Sequence, residues 1–84
     1  MYRVEFTPAA LKDLQKLPRS VQKTIIKKIE FFLSSGRPLA FAHGLLNSEL
    51  GQYRFRISDY RVIFDLEEET LVVLKIGHRK NIYK

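Results

Sequence analysis

Residues 52–80, QYRFRISDYRVIFDLEEETLVVLKIGHRK, decide the fold. Over much of this stretch apolar and polar side chains alternate, as a strand requires, because successive Cβ atoms point to opposite faces of a pleated sheet. Strand patterns at 52–58, 60–66 and 71–79, separated by short turns, make an antiparallel meander. On the first of these strands Tyr53, Phe55 and Ile57 share one face, while Arg54 and Arg56 project from the other. With Ser58-Asp59 as a two-residue turn, Ile57 pairs with Tyr60 and Arg56 stands directly opposite Arg61. Like charges in that relation cost roughly 0.2–1 kcal/mol. An anion between them removes the cost, since guanidinium forks match phosphate oxygens bidentately. The competing reading is a basic face solvated by water. Arg79 shares the face of Arg61 only if the turn between the last two strands holds an odd number of residues, as Glu67-Glu68-Glu69 does in a regular ladder. Asp65 then falls on the same face as an internal counter-ion.

Ahead of the meander, Tyr2, Val4 and Phe6 alternate with Arg3 and Glu5, a strand pattern. Thr7-Pro8 supplies an N-cap and a proline at the first helical position, Leu11, Leu14 and Leu17 recur at three-residue spacing, and Pro18 closes the helix. A second helix runs from about Arg19 to Ser34, with Val21, Ile25, Ile29, Phe32 and Leu33 on one side and Gly36 placed to end it. Residues 37–51, containing Pro38, Gly44, Asn47 and Gly51, read as a connecting loop. The expected fold is α+β: an N-terminal strand and a two-helix hairpin packed on an antiparallel sheet, whose C-terminal meander leaves one face open.

The chain has 84 residues, 45% of them hydrophobic, which fits one domain over 1–84 with one modest core. It contains no cysteine, which excludes disulfides and thiolate chemistry, and two histidines without a metal-binding spacing, so neither metal nor cofactor is expected. No apolar run approaches 18 residues and the N-terminus reads as a strand, so a cytoplasmic protein without a membrane partner is expected. The net charge of +6 favours anionic partners, nucleic acid before membrane. Most of the excess lies in residues 1–42, with eight Lys/Arg against three Asp/Glu, whereas residues 43–84 hold seven against six. Lys12, Lys16, Lys23, Lys27 and Lys28 occupy polar helical positions, where a wet helix face is the ordinary reading. Together with Lys75 and Lys80 they are the candidate contacts to a nucleic acid, and they steer the protein toward a polyanion. His43 reads as a surface residue.

The order strand, helix, helix, three strands, the stretch YRFRISDYRVIF at 53–64 and the ending GHRKNIYK at 77–84 resemble the RelE/ParE toxin superfamily over essentially the whole chain. More specifically, they are similar to its RelE-type, ribosome-dependent mRNA endonucleases. The resemblance implies a toxin that cleaves mRNA in the ribosomal A site and is neutralised in a heteromeric complex by a cognate antitoxin. Carried over by position, it implies catalytic roles for Arg54, Arg56, Arg61, Arg79 and Tyr83. The sequence departs from the best-studied members in one respect: arginine replaces lysine at 54 and 56.

Metal-free RNA cleavage needs three things: a base to take the 2′-hydroxyl proton, cations to stabilise the phosphorane, and an acid for the leaving oxygen. Arginines suit the second task and serve poorly as proton donors near neutrality. Tyr83 is the base that the resemblance implies; packing on the sheet edge, or stacking on a nucleobase, is the other reading. His78 is a possible proton donor. Strict alternation sets it opposite Arg79, beside Ile76 and Leu74, and a bulge near Gly77 reverses that parity. Two other functions compete: a ParE-like inhibitor of DNA gyrase, and an RNA-binding relative with weak catalysis.

Overall fold

A computed structural model describes residues 1–46 and 49–83. In chain order the elements are β1 (Arg3–Phe6), α1 (Pro8–Gln15), α2 (Arg19–Ser34), a 3₁₀ turn (Pro38–Phe41), β2 (Ala42–Gly44), β3 (Tyr53–Ile57), β4 (Tyr60–Glu67) and β5 (Thr70–His78). The five strands form one sheet in the order β1-β5-β4-β3-β2. The Thr7 hydroxyl accepts from the Ala10 N–H at 3.1 Å, the cap its sequence position calls for. Gly36, at φ 75°, takes the left-handed conformation that ends α2. No helix among the described residues is long and apolar enough to cross a membrane.

Both helices cover one face of the sheet. Ala10 and Leu14 of α1, with Ile25, Ile29 and Phe32 of α2, pack on Phe55, Ile57, Val62, Phe64, Leu71, Val73 and Ile76. Each fully buried large side chain here contributes about 1.5–3 kcal/mol of transfer free energy. An aromatic stack runs through the layer, with ring centroids 4.7 Å apart for Phe32 and Phe55 and 4.4 Å apart for Phe55 and Phe64. Arg54, Arg56 and Arg61 alternate out of this layer onto the opposite face.

Three expectations about the fold change. The sheet is mixed, because β1 runs parallel to β5, with Val4 beside Leu71. The helices carry the chain from β1 at one edge of the sheet to β2 at the other, and the following strands return it to β5 beside β1, the long connection that a parallel pair demands. The 37–51 stretch is not wholly loop: it holds the 3₁₀ turn and β2, which pairs its three residues with Tyr53–Phe55 of β3. A three-residue strand is too short to show alternation, and its pairing is dictated by the open edge of β3. Asn47 lies outside the described residues.

The turn between β4 and β5 has two residues, not three, since Glu67 pairs with Thr70. An even turn alone would put Arg79 on the wrong face. A register shift after Ile63 corrects it: Phe64 pairs with Val73 but Ile63 pairs with Lys75, so that Leu74 is the extra residue of a β-bulge. Helix α1 docks on the polar groups that the bulge leaves over. Asp13 Oδ2 accepts from the Ile76 N–H at 3.0 Å, and the Thr7 hydroxyl lies 3.5 Å from the Leu74 carbonyl oxygen.

Candidate functional site

The ladder between β3 and β4 brings the arginines together. Arg56 pairs with Arg61, Arg54 pairs with Ile63, and on the far side of β4 Arg61 meets Gly77 while Ile63 meets Lys75. Two rows therefore cross the open face: Arg56, Arg61 and Gly77 in one, and Arg54, Ile63 and Lys75 in the other. Neighbouring strands are about 4.8 Å apart, so each row spans roughly 10 Å.

Arg61 is the centre of the cluster and is only 7% exposed. Its Nη1 donates to the carbonyl oxygens of Ser58 at 3.1 Å and Tyr60 at 2.8 Å. Burial, and then the charge of Arg56, push its guanidinium below the usual arginine value; Tyr83 opposes the shift and Arg54 and Arg79 add to it. Neither of the ion pairs found among the described residues, Met1–Glu69 and Arg79–Asp59, includes Arg54, Arg56 or Arg61. A buried cation held by two carbonyl oxygens, crowded by further cations, is a site that gains from an anion. Arg54 repeats the theme: its Nε is shielded from solvent and has no hydrogen-bond partner.

Tyr83 reaches this face from a C-terminal arm. Past β5 the chain makes one tight turn, with the N–H groups of Asn81 and Ile82 donating to the His78 carbonyl oxygen at 2.9 and 3.0 Å. Arg54 Nη1 donates to the Tyr83 hydroxyl at 2.8 Å, and its guanidinium carbon lies 6.0 Å from the ring centroid. Arg79 sits at the hairpin end of the face, its N–H donating to the Asp59 carbonyl oxygen at 2.8 Å and its Nε 3.5 Å from Asp59 Oδ1. Lys84 lies outside the described residues.

Arg54, Arg56, Arg61, Arg79 and Tyr83 are thus gathered at one place, and Lys75 joins them. The remaining expectations fare differently. His78 pairs with Tyr60, packs edge-on against its ring at 5.5 Å, and accepts the Lys80 N–H at Nδ1 from 3.1 Å. It therefore belongs to the helix-covered side, away from the arginines: the bulge lies at Leu74, upstream of the Gly77–His78 step, and leaves the alternation there intact. Leu74, expected beside Ile76 and His78, instead approaches Gly51 near Ile63. Asp65 shares the arginine face but is not a counter-ion; its Oδ1 accepts the Gln52 N–H at 2.9 Å, while Gln52 Oε1 accepts the Leu66 N–H at 2.9 Å. It fastens the start of β3 to β4. Lys12, Lys16, Lys23, Lys27 and Lys28 are exposed on the helices, across the sheet from the arginine face. Lys80 is exposed in the C-terminal turn and His43 on β2.

Comparison with known proteins bears on the family and the fold. Residues 4–83 match the profile of the family described as the ParE toxin of the type II toxin–antitoxin system parDE. The chain is 32% identical to Toxin RelG of Mycobacterium tuberculosis over 85 residues, covering 99% of this chain and 97% of that protein. It is 28% identical to Toxin RelE3 of Methanocaldococcus jannaschii over 83 residues, covering 96% and 94%. Its fold superposes on a chain of the toxin–antitoxin complex RelBE2 from Mycobacterium tuberculosis with a TM-score of 0.81 at 30% identity, covering 93% of this chain and 98% of that one.

Proposed function

This chain belongs to the RelE/ParE family and is the toxin of a type II toxin–antitoxin system, and from that premise we propose that it is a metal-independent endoribonuclease that cuts mRNA in the ribosomal A site. The observation that carries the reading is the Tyr83 hydroxyl held 2.8 Å from Arg54 on the face of the buried, carboxylate-free Arg61. Arg54 fixes the phenol oxygen on the arginine face, where the group that takes the 2′-hydroxyl proton must stand. Attack of that 2′-oxygen on its own phosphorus builds charge on the equatorial oxygens, which Arg61 and Arg56, two donor forks side by side, are placed to hold. Arg79, at the hairpin end, binds the flanking phosphate. With His78 on the other face, Lys75 is the ammonium that the sheet presents for the leaving 5′-oxygen, and arginine at 54 and 56 is then compatible with cleavage. The partners in this reading are the ribosome with its mRNA and a cognate antitoxin that covers the arginine face, all in the cytoplasm.

Primer extension on mRNA translated in a purified system tests the proposal. Cuts inside codons that require ribosomes, and that Tyr83→Phe and Arg79→Ala each reduce by at least about a hundredfold, are expected. Growth arrest without cuts replaces this reading with gyrase inhibition, for which a phenol hydroxyl on a phosphate-binding face has no role. Binding without either effect leaves an RNA-binding relative.

A further inference from the structure

The ending HRKNIYK carries one aliphatic side chain, Ile82, and it is 1% exposed while Tyr83 beside it is 48% exposed. Ile82 is absent from the main core, which lies on the other side of the sheet. It rests on Gly77: a Cβ built there would meet Ile82 Cδ1 at 3.1 Å and its Cα and Cβ at 3.9 Å. Gly77 is the glycine of β5 and stands directly opposite Arg61. The missing side chain at 77 is therefore a socket at the end of the arginine row. Two hydrogen bonds to the His78 carbonyl oxygen close the turn behind it, but they fix only the backbone at Asn81 and Ile82 and do not by themselves set the direction of the Tyr83 side chain. The apolar side chain in the socket adds a contact on the sheet itself.

We infer that Ile82, seated on Gly77, is the positioning residue that sets the Tyr83 hydroxyl against Arg54. Two rotatable side-chain bonds and the backbone of the turn decide where the Tyr83 hydroxyl sits; fixing them in advance removes ordering cost from the reacting state. Aliphatic bulk at 82 and its absence at 77 are one device, and neither residue touches the phosphate. The inference rests on Tyr83 acting at the cleavage site only for its kinetic consequence; the placement of Tyr83 is open to measurement without activity.

The test uses the full chain labelled with 3-fluorotyrosine, the Tyr83 fluorine line being assigned by its loss in Tyr83→Phe. In the native protein Arg54→Gln moves the Tyr83 line. In Ile82→Ala, and separately in Gly77→Val, which suits a strand but fills the socket, the Tyr83 line is expected at its denatured-state position and insensitive to Arg54→Gln. The Tyr2 and Tyr53 lines stay at native positions, reporting an intact sheet, and Ile82→Val retains at least half of the native displacement. In ribosome assays Ile82→Ala lowers the single-turnover rate at least tenfold with ribosome affinity within twofold, and costs nothing further on a Tyr83→Phe background. A Tyr83 line unmoved in both Ile82→Ala and Gly77→Val overturns the inference, as does an equal rate loss from Ile82→Ala with and without Tyr83. If Tyr83→Phe cuts at the native rate, the nuclease role of Tyr83 falls, and the fluorine lines alone decide the positioning.

Discussion

Arg61 is the residue at which the proposed role at the phosphate can be set against stability. Its guanidinium is buried beside Arg56, bonded to two carbonyl oxygens and to no carboxylate. Arg61→Gln removes the like-charge contact with Arg56 and also the two hydrogen bonds, terms of similar size and opposite sign, so stability by urea denaturation is expected to stay within about 1 kcal/mol of native. Cleavage, in contrast, is expected to fall by about 10²–10³, the usual consequence of deleting one donor to a developing oxyanion. Equal losses in folding and cleavage would make Arg61 a structural residue. The pairing of Arg56 with Arg61 was readable from the two-residue spacing of Ser58-Asp59. The depth of Arg61 was not, because strand alternation says which face a side chain takes and not how much surface covers that face.

At the level of elements, the β-bulge at Leu74 and helix α1 act as one unit. The two-residue turn at Glu68-Glu69 would turn Arg79 away from Arg61, and the bulge turns it back. Asp13 holds the arrangement by accepting the Ile76 N–H. Asp13→Ala strands that donor and is expected to cost about 1–3 kcal/mol, read as a lower urea midpoint; it is also expected to weaken cleavage, because the Arg79 end of β5 loses its register. A cost within error would show that the bulge holds itself. The turn is strained, with Glu68 at φ 56°. Glu68→Gly is therefore expected to raise stability by up to about 1 kcal/mol, with an unchanged denaturant slope; lower stability would mean that the Glu68 side chain does more than fill the turn. The two helices, β1, the three strands of the meander and the shared face of Arg54, Arg56 and Arg61 followed from period and punctuation alone. The bulge did not, since LVVLKI is a continuous apolar run with one lysine and offers no period to break.

Across the whole molecule, positive charge divides between two sides of one sheet. Arg54, Arg56, Arg61, Arg79 and Lys75 occupy the open face, whereas Lys23, Lys27 and Lys28 are exposed on the helix layer that covers the other. Charges on the far side act through the long-range field and make no contact with a phosphate bound among the arginines. Replacing all three lysines with glutamate is expected to slow association with ribosomes by about tenfold or less at low salt, with the difference fading as salt rises, and to leave the single-turnover cleavage rate unchanged. A loss that persists at high salt would instead place these lysines in direct contact with RNA. The sequence by itself determined the element order, the single α+β core, the alternation that sets arginines against aromatics, and the residues that make the chain resemble its family, because period, turn chemistry and residue type are local properties. Only the tertiary structure decided the parallel placement of β1, the pairing of β2, the bulge that returns Arg79 to the site, the seat of Ile82 on Gly77 and the banishment of His78. Each of these depends on which distant segment lies alongside, and backbone hydrogen bonding and close packing settle that for the chain as a whole.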